Sequence, residues 1–201
     1  MTDFMPQDQW LVRNEFSDFF FVSNFNMKNL LIKEKINKDK IFVTGIPVST
    51  RFQQEFDKPA IYKDFELNPN KKTILFFAGG GFGLGTESTV NILKSFLDLK
   101  DELQIVAISG KNPKMKKQFD ELHEEYGDNI LNVFEYTDKV PELMNISTLV
   151  VTKPGGLTTS ECLVCGLPMI IINPIPGQEE QNAEFLESAG IAIWLKKSTD
   201  T

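Results

Sequence analysis

From Thr73 to the end of the chain, short apolar runs alternate with longer amphipathic stretches. The apolar runs cover residues 73–78, 104–109, 130–134, 148–152, 169–172 and 191–195, each of strand length and rich in Ile, Val, Leu or Phe. The stretches between them, 86–99, 113–126, 138–146, 158–165 and 181–188, have the spacing of helices with one apolar face. Strand and helix alternating in this way predict an α/β fold with a mostly parallel, doubly wound sheet. Ahead of it the pattern is sparser: a strand over 19–22, a helix over 25–35 and a strand over 41–43 that runs into Thr44-Gly45-Ile46-Pro47. A single β-α-β unit cannot bury both faces of its own sheet. Residues 1–47 are therefore expected to be the end of another domain.

Two uneven distributions mark the boundary. Ten of the seventeen phenylalanines lie at or before Phe65. Residues 1–65 hold nine basic and nine acidic groups, so the whole net charge of -7 belongs to residues 66–201. Glu66-Leu67-Asn68-Pro69-Asn70-Lys71-Lys72 is a breaker-rich junction. The expected division is an amino-terminal remnant over 1–47, a linker over 48–66 and a domain over 67–201.

Composition narrows the function classes. The chain has 201 residues and 41% hydrophobic content, enough for one good core. No apolar run approaches the roughly 18 residues of a membrane span, and Met1-Thr2-Asp3-Phe4 does not open a signal peptide. Two cysteines cannot build a disulfide framework, and net acidity argues against a nucleic-acid binder with a dense basic footprint. A cytoplasmic globular protein is expected.

Open parallel sheets bind ligands at the carboxyl ends of their strands. Seven of the thirteen glycines fall in two such places. The first, Gly79-Gly80-Gly81-Phe82-Gly83-Leu84-Gly85, joins a strand to a helix with Thr86 or Ser88 available as cap. Glycines let backbone N–H groups approach an anion, and a helix N-terminus adds about half a positive charge. Phosphate binding then needs no basic cluster. Gly-Lys-Ser/Thr is absent, so this is not a P-loop, and the strict G-x-G-x-x-G spacing is missed. The next strand ends in Ser109-Gly110-Lys111-Asn112 without the acidic residue that grips a nicotinamide cofactor's ribose.

The second glycine site is Thr152-Lys153-Pro154-Gly155-Gly156-Leu157-Thr158-Thr159-Ser160-Glu161. Thr158 or Ser160 hydroxyls and first-turn N–H groups suit a diphosphate. The Glu161 carboxylate suits a vicinal diol such as a ribose, because it accepts two hydrogen bonds at once; the plainer reading is a charge complementing the helix dipole. A third polar cluster runs from Asn173 through Pro176, Gly177, Gln178, Glu179 and Glu180 to Asn182, with amides and carboxylates fit for sugar hydroxyls or for a helix cap.

The ordered set Thr44-Gly45-Ile46-Pro47, the 79–85 loop, Gly110-Lys111-Asn112, Lys153-Pro154-Gly155-Gly156-Leu157-Thr158, Glu161, Gly166-Leu167-Pro168 and Pro176-Gly177-Gln178-Glu179 covers nearly the whole chain. It resembles the carboxyl-terminal half of the diacylglycerol glycosyltransferases, the bacterial processive diacylglycerol glucosyltransferases and plant monogalactosyldiacylglycerol synthases. These are related to the lipid II N-acetylglucosaminyltransferase. The resemblance implies a GT-B fold of two Rossmann-like domains and an inverting transfer of a hexose from UDP-glucose or UDP-galactose to diacylglycerol, with no metal cofactor. It also implies peripheral association with the cytoplasmic face of the membrane through the other domain. Carried over by position, Gly79, Gly80 and Gly81 lie at the diphosphate and the cleft, and Gly110, Lys111 and Asn112 beside the nucleotide. Backbone from Tyr136 to Val140 meets the uracil, Gly155, Gly156 and Thr158 the diphosphate, and Glu161 the ribose. Gln178 and Glu179 hold sugar hydroxyls, and Asp3 belongs to the acceptor side.

The chain also departs from that pattern. Where the family reads Thr-Asp-Phe-x-x-His before a Trp, this chain has Gln7 ahead of Trp10, and Gln cannot relay a proton. Only the last segment of an amino-terminal domain is recognisable, and the chain stops at Thr201 soon after 191–195. It is expected to be a fragment or truncated product that binds UDP-sugar and turns over little. Other readings are a lipid II type transferase using UDP-N-acetylglucosamine, a non-catalytic nucleotide-sugar-binding subunit of a split transferase, and a sugar-nucleotide epimerase sharing the fold.

Three further features have plain readings. His123, the single histidine, stands among Glu121, Glu124 and Glu125 as on a solvated helix face. Cys162 and Cys165 form C-x-x-C without a second pair, which disfavours zinc or redox chemistry. Five lysines from Lys28 to Lys40 alternate with Leu30, Leu31, Ile32 and Ile36, but Glu34 and Asp39 interrupt them, as on an ordinary surface helix rather than a face for anionic lipid.

Overall fold

The computed structural model describes residues 3–6, 17–78 and 85–196, the side chain of Gln178 excepted. In chain order its elements begin with β1 (Phe20–Val22), α1 (Phe25–Lys33), β2 (Ile41–Val43) and α2 (Lys58–Asp64). There follow β3 (Lys72–Phe77), α3 (Thr86–Leu97), β4 (Leu103–Ile108), α4 (Pro113–Tyr126) and β5 (Leu131–Phe134). The chain continues through α5 (Val140–Ile146), β6 (Leu149–Thr152), α6 (Gly156–Val164), β7 (Met169–Ile171), α7 (Gln178–Ser188) and β8 (Ala192–Trp194).

Strands β3 to β8 form one sheet in the order β5-β4-β3-β6-β7-β8, and every neighbouring pair is parallel. The period-2 alternation of each strand splits the core in two. Ile74 and Phe76 of β3 enter the layer beneath α3 and α4, whereas Leu75 enters the layer beneath α2, α5, α6 and α7. All six residues of β4 are buried, as a strand covered on both faces requires. Helix α4 presents Met115, Phe119 and Leu122 to the sheet and α3 presents Val90, Leu93 and Leu97, the i, i+3, i+4, i+7 spacing of a one-sided stripe. Each such side chain stabilises the fold by about 1.5–3 kcal/mol on burial.

After β5 the chain returns by way of α5 to β6, which pairs with β3 on its other side. The order of winding reverses there, and in a parallel sheet this opens a crevice beyond the carboxyl ends of the two central strands.

Strands β1 and β2 form a separate parallel pair. Met27 and Leu31 of α1 close over Phe20, Val22 and Ile41. The opposite face holds Phe19, Phe21 and Phe42 in ring contact, with 59%, 54% and 44% of their surface exposed. Lys28 and Lys40 donate to the carbonyls of Ile41 and Ser17, so these two lysines tie the unit together.

Residues 48–66 are packed rather than extended. They contain a 3-10 turn, Thr50–Gln53, and α2, whose Ile61 enters the same core layer as the following Phe65. The expected strands match within a residue or so at each end; α2 is the helix the periodicity did not reveal. Its signals are local: Asp57 accepts from the Ala60 N–H, Pro59 stands in the first turn, and Ile61 and Phe65 are four apart.

Candidate functional site

The crevice between β3 and β6 is a cleft of about 330 Å³. Phe77 and Ile108 form part of its floor, Thr152 and Lys153 one wall, and Gly110, Gly155, Thr158 and Glu179 come from three different loop-to-helix junctions. Four residues selected from the sequence thus meet in one cavity, although they span positions 110 to 179.

Helix α6 aims its amino terminus here. Its first backbone bond runs from Thr159 N–H to Gly155 O. The N–H groups of Gly155, Gly156, Leu157 and Thr158 have no hydrogen-bond partner among the described residues. The first turn holds no acidic residue, and Lys153 lies beside it. Open N–H groups at a helix start beside one cation form an arrangement able to hold an anion. Thr158 is half-buried at its edge, but Ser160 is not available in the same way: its Oγ donates to Gly156 O at 2.7 Å and is buried in the helix.

Glu161 follows Thr158 by three residues, on the same side of α6. It is partly buried, and burial raises its carboxyl above the ordinary range. A carboxylate held away from bulk water is a strong acceptor for a diol, and it is uncomfortable without one.

Glu179 lines the cleft from the first turn of α7, and one of its oxygens is engaged. The Ile175 N–H donates to Glu179 Oε2 at 2.7 Å, and the Gly177 N–H donates to Glu180 Oε2 at 2.9 Å. The two carboxylates hold the Asn173–Gly177 turn, and the second Glu179 oxygen has no hydrogen-bond partner among the described residues. A neighbouring cavity of about 470 Å³ shares Lys153 and is bounded by Pro174, Pro176, Glu180 and Trp194.

The remaining expected residues are more dispersed. Lys111 and Asn112 line a different hollow beside α4, of about 530 Å³, which meets the cleft at Gly110. The Asn112 carboxamide oxygen accepts from the N–H groups of Lys114 and Met115, so its role is to cap α4. Tyr136 is 77% exposed in the loop after β5, and Val140 packs against the core at the start of α5. Gly79, Gly80, Gly81 and Gln7 lie outside the described residues, as does the side chain of Gln178.

Asp3, expected on the acceptor side, is only 7% exposed. Asn182 Nδ2 donates to Asp3 Oδ1 at 2.9 Å and to Pro154 O at 3.1 Å, while Phe4 N–H donates to Asn182 Oδ1 at 3.0 Å. Asn182 was legible only as one member of a polar cluster. Its distinguishing sign is a fully buried amide in the apolar stripe that Ala183 and Leu186 form on α7.

The histidine and both cysteines are structural. His123 joins α4 to β5 through Nδ1 and Leu131 O at 2.6 Å, with Asp128 3.0 Å from Nε2. Burial pushes the Cys162 thiol up to about 12 and raises Cys165 as well, which leaves little thiolate for redox work.

Residues 74–201 match the glycosyltransferase family 28 C-terminal domain. The processive diacylglycerol beta-glucosyltransferase of Bacillus subtilis strain 168 is 36% identical over 197 residues, 98% of this chain and 50% of its own length. Its counterpart in Bacillus licheniformis is 34% identical over 197 residues, again 98% of this chain and 50% of its own. The chain therefore spans about half the length of the curated relatives it matches. Acinetobacter baumannii MurG superposes with a TM-score of 0.66 over 100% of this chain and 53% of its own, at 16% identity. The UDP-GlcNAc 2-epimerase of Neisseria meningitidis bound to UDP-GlcNAc gives 0.63 over 87% and 53%, at 20% identity. The fold is that of the carboxyl-terminal half of a GT-B protein. Among the described residues no helix is long and apolar enough to cross a membrane.

Proposed function

The chain belongs to glycosyltransferase family 28, and from this premise we propose that it is the donor-binding half of an inverting hexosyltransferase that uses a UDP-sugar and diacylglycerol. The observation that carries the proposal is the convergence of Gly110, Gly155, Thr158 and Glu179 on one cleft beside four N–H groups that have no partner among the described residues. The diphosphate sits at the α6 amino terminus, the ribose diol at Glu161, and sugar hydroxyls at the second oxygen of Glu179. In the transfer the acceptor hydroxyl oxygen bonds to the anomeric carbon as the bond to the UDP oxygen breaks. The hydroxyl proton passes to a base, and fixed N–H dipoles stabilise the charge growing on UDP. The relatives named for diacylglycerol support the acceptor class.

Isothermal titration of the 201-residue chain with UDP, UDP-glucose, UDP-galactose and UDP-N-acetylglucosamine tests this reading. Binding of UDP with preference for a hexose over the N-acetylated sugar is the expected result. Absence of UDP binding, or preference for the N-acetylated donor, would remove it.

A further inference from the structure

The buried network at Asn182 connects three parts of the chain that are remote in sequence. Its carboxamide, 0% exposed, accepts from Phe4 N–H and donates to both Asp3 Oδ1 and Pro154 O. Around it the Phe4 and Phe185 rings stack with centroids 5.5 Å apart and planes within 9°. Ser23 Oγ and Asn24 Nδ2 donate to the carbonyls of Asp3 and Phe4, so the same segment is fixed to the β1–α1 unit.

We propose that Asn182 is a positioning residue of the donor site, orienting the Pro154–Gly155 peptide so that the N–H groups opening α6 face the diphosphate. The inference rests on the nucleotide-sugar reading of the cleft. In a trans peptide the carbonyl and the following N–H point to opposite sides, and no peptide bond among the described residues is cis. Holding Pro154 C=O on Asn182 therefore turns Gly155 N–H away from Asn182. Gly155 is itself part of the cleft wall and the residue that caps α6. Rotation of this one peptide would misdirect the first donor of the anion site without disturbing the helix behind it. Asp3 fixes the carboxamide from the far side. A buried carboxylate seldom persists without such a partner, and here it makes the amide orientation unambiguous, because only the Nδ2 end can donate.

The test compares Asn182→Ala with Phe185→Leu, which loosens the ring stack but leaves the Asn182 hydrogen bonds. Affinities for UDP and for uridine are measured by calorimetry, and the amide ¹H–¹⁵N resonances of Gly155 and Gly156 are followed without ligand. Asn182→Ala is expected to weaken UDP about tenfold relative to uridine, the equivalent of one good hydrogen bond, and to shift both amide resonances. Phe185→Leu is expected to lower thermal stability while keeping the UDP-to-uridine ratio and the resonances. If Asn182→Ala does not fold, the double variant Asp3→Asn with Asn182→Leu, which removes the N–H donor without leaving a buried carboxylate unpaired, is read in the same way. An unchanged ratio and unchanged resonances in the Asn182 variant overturn the proposal. If the wild-type chain binds neither ligand, the nucleotide-sugar reading falls and the positioning role with it, whereas wild-type binding with an unchanged ratio in the Asn182 variant overturns the positioning role alone.

Discussion

Ser88 Oγ donates to Asn173 Oδ1 at 3.0 Å, which ties the start of α3 to the turn after β7 across 85 positions of sequence. Asn173 also donates from Nδ2 to Thr89 Oγ1 at 3.0 Å, and it adopts φ 42, a left-handed conformation that Asn tolerates better than most residues. Asn173→Ala loses both bonds and keeps the unfavourable backbone. It is expected to destabilise the fold by about 2 kcal/mol, read as a lower urea midpoint with an unchanged slope.

Gly85 belongs to the same contact. It has φ 79, and a Cβ there would stand 3.2 Å from Asn173 Cγ. Gly85→Ala is expected to lower stability by roughly 1–2 kcal/mol for the left-handed backbone alone. Part of any additional loss comes from crowding the Asn173 side chain. A double-mutant cycle with Asn173→Ala should therefore show a smaller penalty for Gly85→Ala when the carboxamide is gone. Strict additivity of the two losses would mean that the contact is not under strain.

Glu161 has a folded-state pKa raised by burial, so the folded chain binds its proton more tightly than the unfolded chain. Such a group opposes folding at neutral pH, and that opposition fades as pH falls through its folded pKa toward the ordinary carboxylate range. Glu161→Gln is thus expected to raise the melting temperature near pH 7.5, with the gain shrinking as the pH is lowered. The same variant should lose the ability to distinguish UDP from 2′-deoxy-UDP. Melting curves across pH and paired titrations check both halves; a variant that still discriminates the two nucleotides would remove Glu161 from the ribose.

Cys162 is fully buried with its thiol pushed up to about 12, and Cys165 lies 3.6 Å from Phe52 O. In native protein, thiol reagents at pH 8 should label Cys162 only as fast as the chain opens, and far faster in denaturant. Rapid labelling of both thiols in the folded chain would restore a reactive role to the C-x-x-C pair.

The architecture was largely readable from the sequence because it is written in local signals. The period-2 runs and the Gly155-Gly156 strand end sit where the sheet and its crevice form. Helix starts were less clear for identifiable reasons. Helix α7 begins at Gln178 instead of 181 because the Glu180 carboxylate closes on the Gly177 N–H, so a turn-like Pro176-Gly177 becomes a cap. Helix α6 begins inside its glycine pair, at Gly156 rather than 158. What local pattern could not reveal is pairing at a distance. Asp3 and Asn182 are 179 positions apart, and nothing near either residue announces the other. Likewise, Asn112 has the composition of a ligand residue, yet its oxygen is occupied in capping α4.

If backbone dipoles and Lys153 supply the positive field for a diphosphate, UDP affinity is expected to be the same with and without a chelator such as EDTA. A drop in affinity on chelation would show that a divalent cation completes the site.

A diphosphate resting on the opening turn of α6 would lie against Gly155, so Gly155→Ala should disturb its binding. Gly155 has φ -68, and an added Cβ meets nothing within 4 Å. Alanine there should leave the fold as stable as before or slightly more so, by about 0.4–1 kcal/mol, while placing a methyl group against the bound diphosphate. An unchanged or higher melting temperature is expected together with UDP affinity at least about tenfold weaker. Equal UDP affinity in Gly155→Ala and the wild-type chain would contradict this placement of the diphosphate.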